Sequence, residues 1–137
     1  MTAAVGYSGK PLAAKLGIRA DTRVLLVGAP AGFDLAAPAG AVVRSRAGAG
    51  PYEVILAFCP DGAALRRRFA AQLPRLATAG ALWIAWPRRA VGHDSDVTDN
   101  AVREAVLPLG LVDVKVAAID TDWSGLKIVW RVERRPK

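Results

Sequence analysis

The sequence is poor in the residues from which many sites and covalent frameworks are built. Its 137 residues include one cysteine, Cys59, one histidine, His93, and one methionine. A single cysteine excludes an internal disulfide and any cysteine-based zinc cluster, and it suits a reducing, cytoplasmic setting. A lone histidine beside Asp94 and Asp96 is a thin ligand set, because zinc sites gather several His or Cys side chains; no metal is expected. Long apolar runs are also missing. The longest, around Ala79 to Trp86, falls far short of the roughly 20 residues a membrane span needs. The first residues, Met1-Thr-Ala-Ala-Val-Gly6, lack a basic stretch followed by an apolar one, so no signal peptide is expected.

Negative charge is the other scarcity. Nineteen Lys and Arg stand against twelve Asp and Glu, a net charge of +7. An excess of this size favours anionic partners, either a small phosphorylated ligand or nucleic acid. The basic residues are scattered over separate elements, however, and Ala and Arg abound throughout, so the charge alone selects neither partner.

What is present is a run of short apolar segments punctuated by Gly and Pro. Arg23 to Val27 is a continuous apolar strand that stops at the glycine turn Gly28-Ala-Pro-Ala-Gly32, followed by Phe33. Continuity rather than alternation argues burial on both faces, as in a parallel sheet. A second such strand is Tyr52 to Cys59, and a third runs from Ala81 to Trp86 after Gly80. A helix after Asp61 places Leu65, Phe69, Leu73 and Leu76 on one face, with Pro74 kinking or breaking it in its last turns. Arg66, Arg67 and Arg68 then read as its solvated flank. A second helix starts after Thr98 or Asp96 and runs to about Leu107. Leu111 to Ile119 and Leu126 to Val132 form a closing pair joined by a tight turn at 121–125. Residues 29–50 hold only one short strand, at 41–43, and Pro11 to Leu16 forms a short helix in an N-terminal arm.

Strands alternating with helices predict one α/β domain with a mostly parallel sheet, helices on both faces and a C-terminal antiparallel hairpin. The arm occupies 1–20 and the core 21–134. Right-handed crossovers put the loops that follow the strands along one edge, where ligands bind.

At this point the chain resembles the class I S-adenosylmethionine-dependent methyltransferase fold, a Rossmann-like architecture. Val24-Leu-Leu-Val-Gly28-Ala-Pro-Ala-Gly32 overlies that family's first strand and glycine loop. Tyr52 to Leu56 resembles its fourth strand, Leu76 to Trp83 the opening of its fifth, and the closing pair its terminal hairpin. The departures fall on the donor site. Leu26 stands where the family has an acid, and Pro30 where it has its middle glycine, removing a backbone N–H. Arg44 and Arg46 stand near the place of the ribose-binding acid. The chain also resembles a family of short bacterial proteins of unknown function, through Gly6-Tyr-Ser-Gly9, Leu16-Gly17, Ala85-Trp-Pro87 and Trp123-Ser-Gly-Leu-Lys127.

These residues lead to a function class rather than a function. The expectation is a ligand-binding, non-catalytic or cryptic Rossmann-like domain without an intact methyl-donor site and without a bound cofactor. Its cleft would be lined by Gly28, Pro30, Gly32, Phe33, Trp86, Arg88, Trp123, Ser124 and Lys127. Trp86 and Trp123 each precede a turn and a cation, a pattern that can stack a ring and meet a phosphate. The plainer account is that these indoles roof the sheet edge. Two alternatives stay open: a divergent methyltransferase that uses S-adenosylmethionine, and a basic module for nucleic acid or protein. Ser124 with His93 as its base, and Cys59 as a reactive thiol, are weaker readings than a hairpin turn and an inert core thiol. Pairing of two copies through an exposed edge strand is a further arrangement the sequence permits.

Overall fold

The computed structural model describes residues 11–46, 48, 50–88 and 96–132. Six strands form one sheet in the order β2-β1-β3-β4-β6-β5: β1 (Arg23–Val27), β2 (Val42–Arg44), β3 (Tyr52–Phe58), β4 (Leu76–Pro87), β5 (Leu111–Ala118) and β6 (Trp123–Trp130). β1 pairs in parallel with β2 and β3, and β3 in parallel with β4; β6 runs antiparallel to both β4 and β5. This is the single α/β domain expected from the sequence, with its mostly parallel sheet and closing hairpin. β2 is all that the segment between β1 and β3 adds to the sheet, which is why that third of the chain looks irregular.

The two sheet faces are covered differently. On one face α2 (Gly62–Gln72) and α3 (Asp99–Val106) press Leu65, Phe69, Val102 and Val106 onto Leu25, Ile55, Ile84 and Leu126. Asp61 caps α2 by accepting the Ala64 N–H at 2.8 Å, and Thr98 caps α3 by accepting that of Ala101 at 3.1 Å, which settles the choice between Thr98 and Asp96. On the other face the four-residue α1 (Leu12–Lys15) and the loop carrying Phe33 and Leu35 cover Val24, Val54, Phe58 and Trp83. That face is closed mainly by irregular chain, because α1 is too short to shield six strands.

Three boundaries differ from the sequence reading. α2 stops at Gln72, and Leu73–Arg75 tightens into a 3₁₀ turn around Pro74. β4 begins at Leu76, five residues early, since Leu76 already pairs with Tyr52 before the register shifts. Gly80 therefore lies inside the strand, where a Cβ would stand 2.7 Å from the Glu53 carbonyl oxygen. β6 begins at Trp123 rather than Leu126. The Asp120 carboxylate accepts the N–H groups of Asp122 and Trp123 at 2.8 and 2.9 Å, which closes the turn early and frees Trp123 to Gly125 to pair with Pro87 to Ala85.

Among the described residues, no helix is long and apolar enough to cross a membrane. The Gly6 to Gly9 lead-in, His93 and the tail from Glu133 lie outside the described residues.

Candidate functional site

The carboxyl ends of β1, β3 and β4 meet along one edge, where the sequence places the ligand loops. β1 ends at Gly28, whose φ of +70° is left-handed, as is Gly32 at +81°; between them the Phe33 N–H closes a turn onto the Pro30 carbonyl at 3.0 Å. Both glycines sit where a side chain would strain the backbone. Phe33 leaves this turn and packs edge-on against Phe58, the last residue of β3, with ring centroids 5.0 Å apart. Phe58 in turn meets Trp123 edge-on, also at 5.0 Å. These T-shaped contacts join the β1 loop, the end of β3 and the hairpin turn into one aromatic wall.

A cation closes the space beside Gly28. Arg68, on α2, donates from Nη1 to the Phe58 carbonyl, and a Cβ added to Gly28 would run into its guanidinium. The sequence reading put Arg68 with Arg66 and Arg67 on a solvated flank. Arg66 and Arg67 are exposed, but Arg68 is half-buried and turned inward. It lies three residues after Leu65 and one before Phe69, both buried, so its place at the margin of the apolar stripe was the available signal.

The N-terminus of α2 opens on the same edge and carries two carboxylates. Besides the Asp61 cap, Asp96 accepts the Gly62 N–H at 2.8 Å. Negative charge at this end of a helix is favourable, so Asp96 secures the approach to α3 while occupying a free donor of α2. Arg88 fastens β4 to the hairpin: its N–H donates to the Asp122 carbonyl at 2.8 Å and its Nη1 reaches the Thr121 carbonyl at 3.4 Å.

Of the sequence-derived lining, Gly28, Pro30, Gly32, Phe33, Arg88, Trp123 and Ser124 converge on this edge. Trp86 and Lys127 do not join them. Trp86 is only 8% exposed and belongs to the core under α2 and α3, with Cys59, Val97 and Val102. Trp123 packs on the other face, so the two indoles cannot sandwich one ring. Ser124 pairs with Trp86 across the strands, and its suggested base, His93, lies outside the described residues. Lys127 sits opposite Trp83 in mid-sheet and lines a groove at the far, amino-terminal end of the strands.

Cys59 is fully buried, and burial pushes its thiol up to about 12 despite the nearby Arg68 charge. It is an inert core thiol at neutral pH. Among the described residues no three of His, Cys, Asp and Glu gather as metal ligands.

No family model and no curated protein matches the chain. Solved structures do. The fibrillarin pre-rRNA processing protein of Methanococcus jannaschii superposes with a TM-score of 0.61 at 16% identity, over 91% of this chain and 70% of that one. A chain of a fibrillarin–Nop5p complex superposes with a TM-score of 0.52 at 14% identity, over 91% and 87%. At such identities the likeness is one of fold, and the fold is the Rossmann-like one of the methyltransferases.

Proposed function

We propose that this chain is a ligand-binding Rossmann-like domain whose carboxyl edge takes a small anionic ligand, with Arg68 as the charge that meets it. The observation that carries this reading is the guanidinium set against Gly28. One N–H goes to the Phe58 carbonyl, and a guanidinium has five donors, which suits a phosphate or carboxylate. Phe33 and Trp123 supply an apolar wall beside it. Asp61 and Asp96 already bring negative charge to the α2 N-terminus, so anion affinity at this edge falls to Arg68.

The competing reading is a divergent methyltransferase, which the fold favours. Against it stand the donor-site positions themselves. Leu26 packs against the α1-side core instead of offering a carboxylate, and Pro30 has no N–H to give a ligand.

Thermal unfolding with S-adenosylmethionine, S-adenosylhomocysteine, NADP and ATP tests both. A ligand at about 100 times its Kd stabilises by about 2.7 kcal/mol, a rise on the order of 5–10 °C for a domain this size. The expected result is a rise with the phosphorylated ligands that Arg68→Ala abolishes and Arg68→Lys partly keeps. A rise with S-adenosylmethionine or its thioether product, retained in Arg68→Ala, would favour the methyltransferase reading instead.

A further inference from the structure

The middle of the sheet, on the face that α1 covers, carries cations that the carboxyl-edge reading does not use. Lys115 and Lys127 are cross-strand partners on β5 and β6, so both ammonium groups rise from the same face. Directly opposed like charges destabilise a strand pair. Among the described residues neither makes a hydrogen bond or an ion pair with an acid. A third lysine stands beside them: Lys15, on α1, donates from Nζ to the Ala118 carbonyl at 3.2 Å. Burial and then the charge of Lys115 lower its pKa.

Lys127 also forms part of the wall of an open groove of about 590 Å³ between α1 and the starts of β1, β3 and β4. That is a size suited to a small molecule. Leu16, Val54 and Ala81 provide apolar surface, and Arg19 adds a further cation. Two acids line it as well. Glu53 is engaged, accepting the Arg23 N–H at 2.7 Å, and Asp21 is exposed. The groove thus carries Lys127 and Arg19 together with the carboxylates of Glu53 and Asp21.

We infer that this groove, at the wall where Lys127 meets its cross-strand neighbour Lys115, is a second binding site, for a small phosphate-bearing ligand. Its phosphate lies between Lys115 and Lys127, and its polar body extends toward Glu53 and Asp21. An anion between the two ammonium groups turns their repulsion into two charge-assisted contacts. The compactness of the cluster fits one phosphate or diphosphate better than a long polyanion, whose backbone would have to pass the two acids. This site is independent of the one at Arg68.

Calorimetric titration of the full chain with inorganic pyrophosphate at low ionic strength tests the inference. Pyrophosphate should bind, Lys115→Gln and Lys127→Gln should each weaken it by about tenfold, and Lys127→Arg should restore it. Arg68→Ala should bind as the unaltered chain does, which separates this site from the carboxyl edge. Both glutamine variants should also unfold at a slightly higher temperature without ligand, showing that lost binding is not lost folding. Absence of binding up to about 10 mM, weaker than any ordinary specific site, would overturn the inference. So would loss of binding in Arg68→Ala with the lysine variants unaffected. If instead a single-stranded oligonucleotide binds with affinity that grows with length and falls steeply with salt, the cluster is a nucleic-acid track and the small-ligand assignment is wrong.

Discussion

The two ends of the sheet handle positive charge in opposite ways. At the carboxyl edge, Arg68 and Arg88 lie against backbone carbonyls, at Phe58 and Thr121, and three aromatic rings pack the space between the loops. Toward the other end, Lys115 and Lys127 face one another across neighbouring strands in mid-sheet, with Lys127 in the wall of a groove that opens at the amino end. The first arrangement holds its cations in place before any ligand arrives. The second sets two like charges side by side, a repulsion that an anion between them would relieve. Net charge, which the sequence displays, does not distinguish these cases; the register of β5 against β6 does.

The largest expected effect falls on the packed end. Phe58 is fully buried and joins Phe33 to Trp123. Phe58→Ala should cost about 3–5 kcal/mol in denaturant unfolding. A cost near zero would show that the aromatic wall does not hold the carboxyl edge together, and the contrast between the ends would weaken.

Gly80 probes the seam between the ends. A Cβ there meets the Glu53 carbonyl oxygen at 2.7 Å, and a backbone oxygen inside a strand cannot swing aside. Gly80→Ala should destabilise by about 1–3 kcal/mol, and because Glu53 and Gly80 both line the groove, it should also disturb that site. Unchanged stability would mean that β3 and β4 can slide at their bulge.

At the open end the sign should reverse. Lys127→Gln should stabilise the unliganded chain by about 0.2–1 kcal/mol at low salt, and the gain should vanish as salt screens the pair. Destabilisation instead would show that Lys127 is held by packing rather than strained by charge.

The smallest effect concerns a charge pair two residues before Lys115 on the same strand. Asp113 accepts from Arg103 at 2.9 Å, and this contact holds its carboxyl below the usual aspartate range. A depressed carboxylate pKa adds stability that is complete above the unfolded value and is lost as pH falls through the folded one. Asp113→Asn should therefore match the unaltered chain at pH below the lowered folded pKa of Asp113 and fall slightly behind it as pH rises, as followed by unfolding midpoints across pH. A deficit that persists at the lowest pH would assign Asp113 a packing role instead.

Much of the fold was legible in the chain. The apolar runs at β1 and β3, the caps Asp61 and Thr98, and the break at Pro74 are local signals, and each marks its element to within a residue or two. The early starts of β4 and β6 were not legible, because each depends on a partner. Leu76 joins the sheet through Tyr52, and Trp123 joins it because Asp120 closes the turn and Pro87 lies opposite. The candidate site divides the same way. The glycine turn and Phe33 were readable as part of the carboxyl edge. Arg68 was readable only as a position at the margin of the Leu65–Phe69 stripe; that its guanidinium reaches Gly28 depends on how α2 crosses the sheet.

The sequence by itself determined the α/β class, the burial of the central strands and the position of the carboxyl edge, because hydrophobic period and glycine placement are properties of neighbouring residues. Only the tertiary structure decided which cations meet carbonyls and which meet each other. It also decided that Trp86 and Trp123 lie on opposite faces and that Lys127 belongs to a groove at the other end. Those outcomes depend on strand register and on the crossing of α2 over the sheet, which set distances between residues far apart in the chain.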